Sequence, residues 1–504
     1  MRDTKKIKYN LLFGIIGQVV TLVLGIVIPR LVLTSYGSEV NGLLASITNI
    51  YAYIAIVEAG VAAASCQALY KAIADRNRDD INGIMSATNR YYHKTGIVYL
   101  LCIIVFAIVY PIIVDSSMPY PMIVLIILFN GIGNVINYFF HGKYLILLKA
   151  DGKNYVRIGV DIFTTTFKQL SKILFMYLGF DVVLVQFVAM LVSFAQMVYI
   201  TVYIKKKYNW LNLKATPNYK SISQTKNVVI HQINYLVVSN TDVVILTAFS
   251  NLMIVSVYSL YILLFNMVDK ILHVVKDALE FKVANCFYTN RESFANLFRA
   301  YEVYYISFSF ALYSVVKFFI LPFLSVYTAD VVDINYIVEY LPLAFVLVKL
   351  FTTAKYPYDA MIHIAGCFKQ TQNSAIIESV INIVVSLGLV HRFGIAGVLI
   401  GTIVAACYRM LYLSIYVHRH NLIPYKLSSS FKSLALNFVI FFAIDMVSGF
   451  LKLRLTSYVA IFIACIPYAL AVFFIYFSVN SLFEIKSFKY LFSKLRQIVL
   501  KHRN

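Results

Sequence analysis

A charged face runs along one predicted membrane helix. Asp161, Thr165, Lys168 and Lys172 follow one another at i, i+4, i+7 and i+11 inside the apolar run 156–178. This spacing places all four side chains on one face of an α-helix. Such a face must meet protein or water, because an ionisable side chain in hydrocarbon is costly. Ammonium groups in a low-dielectric site could make charge-assisted hydrogen bonds to a phosphate.

Further cations lie near the middle of other predicted helices. Together with Lys168 and Lys172 they give five central cations against two central carboxylates, Asp242 and Asp445. This excess predicts a cavity lined by cations, with Arg30 toward its outer end. The alternative for each lysine is that it snorkels or pairs with a neighbouring carboxylate. The predicted cavity cations are Arg30, Lys168, Lys172, Lys317, Lys349 and Arg409.

Amides and an imidazole follow the same spacing in the predicted helix 121–148. Asn130, Asn134, Asn137 and His141 also recur at i, i+4, i+7 and i+11. Amide and imidazole groups suit sugar hydroxyls, so these four are predicted sugar contacts. Asparagine is equally used to hold membrane helices together, and this alternative stays open.

These charges stand out because the rest of the chain is apolar. Its 504 residues are 61% hydrophobic and 13% charged, with a mean hydropathy of +0.77. A soluble domain is about 45–50% apolar and about 25% charged, so a soluble enzyme is excluded. The apolar runs are longer than barrel strands and lack their alternation. The fold class is therefore all-α, a polytopic membrane protein.

Fourteen runs have the length and apolar character of membrane spans, for which roughly 20 residues suffice. They are 10–33, 41–65, 95–115, 121–148, 156–178, 182–204, 228–249, 252–275, 301–326, 334–357, 374–391, 395–418, 433–451 and 457–478.

Lys and Arg are distributed unevenly between the two sets of connections. The net charge is +21, yet the connections predicted to be outside carry only Arg392, Lys452 and Arg454. Cytoplasmic loops collect Lys and Arg, so both termini are predicted to be cytoplasmic and residues 481–504 form a basic tail. Attraction to anionic membrane lipids accounts for these charges, and no nucleic acid partner is expected.

A shift of 213 residues relates the two halves of the chain. It places Thr34–Ser38 on Thr247–Asn251 and Arg78-Asp79 on Arg291-Glu292. The same shift relates two segments, 80–92 and 294–305, that we expect to lie as amphipathic helices in the headgroup plane. An even number of helices per repeat predicts a parallel duplication with a cavity between two lobes. The expected organisation is a six-helix lobe at 1–210, a six-helix lobe at 211–425 and two further spans at 426–480.

Sequence motifs of catalysis are absent. The chain has no Walker motif, no GxSxG and no HExxH, and its six cysteines show no metal-ligand spacing. The predicted outer connections are also too short to carry the catalytic loops of membrane glycosyltransferases. We therefore expect no catalytic residue, no metal, no cofactor and no enzymatic activity.

Several short runs resemble bacterial polysaccharide-export flippases, the O-antigen type, of the MATE-like (multidrug/oligosaccharidyl-lipid/polysaccharide) superfamily. The likeness extends over roughly 5–480 and is carried by the runs 29–43 (PRLVLTSYGSEVNGL), 58–61 (EAGV), 147–155 (LLKADGKNY), 242–246 (DVVIL) and 257–261 (VYSLY).

The resemblance implies two six-helix lobes that open alternately to each side of the bacterial inner membrane. It also implies an undecaprenyl-diphosphate-linked oligosaccharide, as in lipopolysaccharide or capsule assembly, as cargo. A polysaccharide polymerase and chain-length proteins are further possible partners. Lipid II flippases share the architecture but usually show several arginines in helices one and two, where this chain has only Arg30. Drug-efflux relatives favour acidic and aromatic cavities, whereas the centre predicted here is basic. A membrane enzyme of glycan assembly is the alternative from another class of protein.

Directional transport without a nucleotide motif requires an ion gradient or removal of the product. Asp242 is the first predicted coupling carboxylate because it lies centrally in the first helix of the second repeat. Glu58 and Asp359 follow, since both lie nearer the inner side. The alternative is a permanent salt bridge, for example from Asp242 to Lys317 or Lys349.

Overall fold

The computed structural model describes residues 2–58, 61–220, 225–451 and 455–501, and over these ranges its regular elements are all helical. The α-helices are α1 (Arg2–Ile54), α2 (Val61–Ala74), α3 (Arg78–Ile113), α4 (Tyr120–Ile136), α5 (Gly142–Ala150), α6 (Asn154–Tyr177), α7 (Val182–Lys207), α8 (Thr225–Phe249), α9 (Leu252–Thr289), α10 (Arg291–Tyr327), α11 (Leu341–Ala354), α12 (Tyr356–Ala365), α13 (Phe368–Phe393), α14 (Ile395–Arg419), α15 (Leu427–Gly449), α16 (Tyr458–Phe483) and α17 (Ile485–Lys501).

The chain divides into two compact units, Met1–Ser256 and Val257–Asn504, and the boundary falls within α9. In the first unit α6 packs against α1 and α7, α4 packs against α3 and α7, and α8 packs along α1. In the second unit α13 packs against α14, while α10 contacts α11, α15, α16 and α17. The predicted lobe boundary at 210/211 stays a prediction.

Each predicted span coincides with a helical segment, but the count of fourteen is not confirmed. Ten described helical runs are long and apolar enough to cross a membrane. The runs 10–33 and 41–65 lie largely on either side of a kink at Gly37 in α1, and the helical run Ile16–Ile54 that contains this kink is counted once. Three further predicted spans are not among the ten runs. The helix α6 carries its charged face, the apolar part of α8 (Leu236–Phe249) is short, and α11 has only 14 residues.

The first helix bends at one glycine. Gly37 has φ 84° and ψ 177° inside the run Arg2–Ile54, a left-handed region that glycine tolerates without strain. Directly after the bend, Glu39 accepts hydrogen bonds from the side chain of Ser116 at 2.7 Å and the amide of Ser117 at 2.6 Å. These bonds attach the bend to the connection between α3 and α4.

The polar run in the fourth predicted span contains a change of helix type. Between α4 and α5, residues Asn137–His141 form a π-helical turn. A π turn adds a residue to the local ring and shifts the faces of the residues that follow. Residues beyond it therefore leave the face that the 3.6-residue period predicts.

Helix bounds follow the 213-residue shift. Shifted by 213, the bounds of α3 become 291–326, and α10 is Arg291–Tyr327. The bounds of α7 become 395–420, and α14 is Ile395–Arg419. The helix bounds thus support the repeat seen in the sequence.

The two segments expected in the headgroup plane are instead the first turns of α3 and α10. Ile81, Ile84 and Met85 are buried, and the connection after α7 covers this part of α3. The amide of Asn218 donates to the Gly83 carbonyl at 3.0 Å, and Ser86 donates to the Ala215 carbonyl at 2.7 Å. The expectation is wrong because the apolar face is covered by protein.

Candidate functional site

The charged face of α6 is positioned by a tight hairpin with α7. Gly179, with φ 77°, follows α6, and Asp181 caps α7 by accepting from the Leu184 amide at 2.7 Å. A connection this short makes the helices antiparallel neighbours. Residues equally far from the turn therefore face each other.

Two hydrogen bonds connect the facing positions. Lys172 Nζ donates to Gln186 Oε1 at 2.9 Å, and Gln196 Nε2 donates to Asp161 Oδ1 at 2.7 Å. Gln186 is buried. Asp161 and Lys172, which the spacing places on one face, thus both contact side chains of α7.

The two lysines of this face have no carboxylate partner within the described part of the chain. Lys172 bonds to an amide, and Lys168 makes no hydrogen bond or ion pair to a described residue. Both side chains are partly buried. A buried cation without a counter-ion is electrostatically costly, which distinguishes this face from the ion pairs described below.

The four predicted sugar contacts lie in three different environments. Asn130 donates to the Ile126 carbonyl of its own helix at 2.9 Å, whereas Asn134 is exposed and donates to Tyr99 Oη at 3.1 Å. Asn137 Oδ1 and His141 Nδ1 are buried and have no described hydrogen-bond partner. Buried polar atoms nearly always have a partner, so these two atoms are exceptions within the described part of the chain.

A further buried cation escaped the sequence analysis. Lys143 is 5% exposed and donates to Asn89 Oδ1 at 2.7 Å and to the Phe139 carbonyl at 3.2 Å. It lies just after the π turn, away from the predicted polar face. The only feature of the sequence that points to Lys143 is its position near the end of the predicted span 121–148. Like Lys172, it has an amide partner and no described carboxylate partner.

The predicted cavity cations of the second unit have carboxylate partners. Lys317 forms a salt bridge with Asp445, and Lys349 Nζ lies 2.5 Å from Asp269 Oδ2 and 3.0 Å from Asn266 Oδ1. Lys317 and Lys349, named above as possible partners of Asp242, thus have partners of their own. Their predicted phosphate contact would require these carboxylates to be displaced.

Glu378 serves two cations of the second unit. Its Oε1 atom lies 2.7 Å from Lys355 Nζ, and its Oε2 atom lies 3.6 Å from Arg409 Nε. Arg409 also donates to the Thr371 carbonyl at 3.1 Å and to the Ser374 hydroxyl. The second unit therefore does not show the expected shortage of anions. Asp269 and Glu378, which are not among the two central carboxylates named from the sequence, pair with its cations.

The three predicted coupling residues lie on different elements of the chain. Asp242 is 5% exposed and follows Thr241, whose hydroxyl lies 2.6 Å from Tyr53 Oη. Arg30 is half-buried, and it and Asp242 both interact with other groups. Asp359 lies on α12, while the side chain of Glu58 lies outside the described residues.

A groove opens between α6 and α7 on the side away from the lysines. Its volume is about 920 Å³, and its lining includes the side chain of Gln196, the residue bonded to Asp161. Its aromatic lining residues are Tyr155, Phe163, Phe167, Tyr199 and Tyr203. In the described part of the chain, no group of three or more His, Cys, Asp and Glu side chains is arranged to hold a metal ion.

The fold is similar to that of MATE family transporters. An inward-facing multidrug resistance MATE family transporter of the MOP superfamily matches with a TM-score of 0.64 and 14% identity, over 79% of this chain and 95% of that chain. The MATE multidrug transporter DinF-BH matches with a TM-score of 0.55 and 15% identity, over 84% and 97%. A MATE structure in the bent conformation gives 0.52 and 14%, over 86% and 97%.

Comparison with protein-family models and with curated protein sequences finds no match. The structural likeness establishes an all-helical, MATE-like fold. Together with the ten apolar helical runs, it indicates a multi-pass membrane protein.

Proposed function

We propose that this protein is a flippase that moves undecaprenyl-diphosphate-linked oligosaccharide units across the bacterial inner membrane by alternating access. The observation that carries the proposal is the α6 face, where Lys168 and Lys172 lie inside a predicted span without a described carboxylate partner. A diphosphate is the part of the cargo that hydrocarbon excludes most strongly. Cations held in the span replace the water of its hydration shell.

Polar groups of the predicted span 121–148 suit the rest of the head group. Asn134 is exposed, and Asn137 Oδ1 and His141 Nδ1 have unused hydrogen-bonding capacity. Such groups exchange hydrogen bonds with sugar hydroxyls at little cost when a mixed set of sugars must pass. The polyprenyl chain stays in the bilayer, and no covalent bond is made or broken.

Release of the cargo requires the interaction between the lysines and the phosphate to weaken. Lys172 can alternate between Gln186 and a phosphate oxygen, because an amide is a weaker partner than an anion. We infer that Asp242 is the coupling carboxylate, supported by its burial within a predicted span. An Asp242→Asn variant should lose gradient-driven transport while its membrane insertion stays normal; full gradient-sensitive transport would exclude this role.

The test is glycan export in bacteria whose own flippase has been deleted. The wild-type chain should restore export, and the Lys168→Ala/Lys172→Ala variant should abolish it at equal membrane abundance. Lys206→Ala is the matched control, since Lys206 is an exposed lysine of the same unit. Lys168→Arg/Lys172→Arg should retain part of the activity, because charge survives while geometry changes. Full export by the double-alanine variant would contradict the proposed site.

Multidrug efflux is the second candidate, and the aromatic groove favours it. Phe163 and Phe167 stack with their centroids 6.2 Å apart, and Gln196 connects the groove to Asp161. Aromatic faces and a nearby carboxylate attract organic cations. Drug resistance that is conferred by the wild type and lost in Asp161→Asn, with glycan export absent throughout, would favour efflux over flipping.

A further inference from the structure

A histidine of the second unit lies between carboxylates of two helices. His363 Nδ1 is 3.5 Å from Glu280 Oε1 on α9, and its Nε2 is 3.8 Å from Asp359 Oδ2 on α12. Only the protonated imidazolium presents an N–H to each side at the same time. The arrangement therefore matches the charged form of the ring.

The surrounding cluster is acidic and open to solvent. A pocket of about 630 Å³ is lined by Lys276, Asp277, Glu280 and His363. Lys276 Nζ lies 3.9 Å from Glu280 Oε2 and is the cation that opposes protonation of the ring. The Phe368 ring stacks on His363 with centroids 5.2 Å apart. The described carboxylates thus outnumber the cation around the imidazole.

A buried hydroxyl beside the cluster supplies a second, independent observation. The Tyr301 hydroxyl on α10 is buried without a described hydrogen-bond partner, and the residue is 4% exposed. The charges of Glu280, Asp359 and Asp277 all act on it. Two of these carboxylates, Glu280 and Asp359, are the ones that flank the imidazole of His363.

We propose that Glu280, Asp359 and His363 form a proton-binding site, and that the bound proton joins α9 to α12. The junction also has a contact without charge, because Tyr288 donates to the Ile364 carbonyl at 2.6 Å. The proton therefore adds stability to an existing contact between the helices. The site does not depend on the cargo proposed above, and it gives the predicted coupling residue Asp359 a proton-binding partner.

The expected pH dependence follows from the direction of the shift. The hydrogen bond to Glu280 raises the pKa of His363 above 6.5, against the opposing effect of burial. A pKa raised in the folded state gives stability that is complete at low pH and is lost as the pH rises through that pKa. Deprotonation should thus loosen the α9–α12 junction at neutral to alkaline pH.

The test is thermal unfolding of the full chain in lipid nanodiscs between pH 5.5 and 8.5. The melting temperature of the wild type should fall across this range by about 1–2 °C more than that of His363→Gln. Glu280→Gln should remove the same difference, because it removes the largest cause of the shift. His420→Gln is the control, since His420 is exposed and stacks on Tyr416; it should keep the wild-type pH dependence.

A pH dependence in His363→Gln equal to that of the wild type would overturn the proposal. A second measurement addresses the proton directly: NMR titration of histidine-labelled protein, with the His363 signal assigned by its loss in His363→Gln. The pKa should lie above 6.5 in the wild type and fall in Glu280→Gln. A wild-type value at or below the ordinary histidine pKa would equally overturn it. Both readouts are independent of transport, so failure of the flippase proposal leaves them interpretable.

Discussion

The two units of the chain treat their buried cations differently. In the first unit, Lys143 and Lys172 bond to the side-chain amides of Asn89 and Gln186. In the second unit, three lysines of predicted spans are paired with carboxylates, as Lys349 is with Asp269. A carboxylate partner balances the charge of the cation, whereas an amide partner carries no charge of its own. The first unit thus holds lysines with neutral partners, whereas in the second unit an ion pair connects α9 to α11.

The strongest test of this difference is loss of Glu378. Glu378→Gln leaves Lys355 and Arg409 buried without their shared carboxylate. Removing one partner of a buried ion pair costs about 3–5 kcal/mol, because an uncompensated charge remains. We expect this loss in the free energy of unfolding, measured in detergent with denaturant. Unchanged stability would show that the ion pairs of the second unit are not structural.

A smaller effect is expected when a neutral partner is removed in the first unit. Gln186→Leu takes away the amide that Lys172 bonds to. The loss should be about 1–3 kcal/mol, the cost of leaving a buried donor unsatisfied. The free energy of unfolding is measured in the same way as for Glu378→Gln. A loss as large as in that variant would mean that Gln186 stabilises Lys172 as strongly as a carboxylate does. The distinction between the units would then fail.

The smallest effect on folding should come from removing the cation itself. Lys172→Met keeps the length of the side chain and eliminates a buried charge that has no described counter-ion, and this gain offsets the cost of leaving the Gln186 amide oxygen without its donor. We expect stability within about 0.5 kcal/mol of the wild type or above it, together with loss of glycan export. Denaturant unfolding and the export assay measure the two properties separately. A clear loss of stability with export intact would assign Lys172 a structural role.

Helices were predictable because apolar runs of membrane length leave few alternatives. The run 182–204 became α7 (Val182–Lys207), and 395–418 became α14 (Ile395–Arg419). Charge partners were harder to predict from the sequence, because a pair such as Lys355 and Glu378 depends on how α12 and α13 are placed. Long side chains also reach partners at other depths, so a count of central residues misjudged which cations are compensated.

The polar face of α6 was predictable, but the group that meets it was not. Spacing alone places Lys168 and Lys172 together, whereas the contact to Gln186 needs the position of α7. The π turn at Asn137–His141 has no simple sequence signal, and it separates Lys143 from the predicted polar face. Glu58, a predicted coupling residue, lies outside the described side chains.

The tight turn at Gly179 has a consequence for how the chain enters the membrane during synthesis. A lysine at the centre of a helix costs roughly 2.5–3.5 kcal/mol on insertion through the translocon, and α6 carries two. The next helix, Val182–Lys207, has a mean hydropathy of 2.1 over its most apolar window and presents Gln186 and Gln196 to the charged face. We therefore expect α6 to leave the translocon only together with α7, so that the hairpin, rather than the single helix, is the unit of insertion.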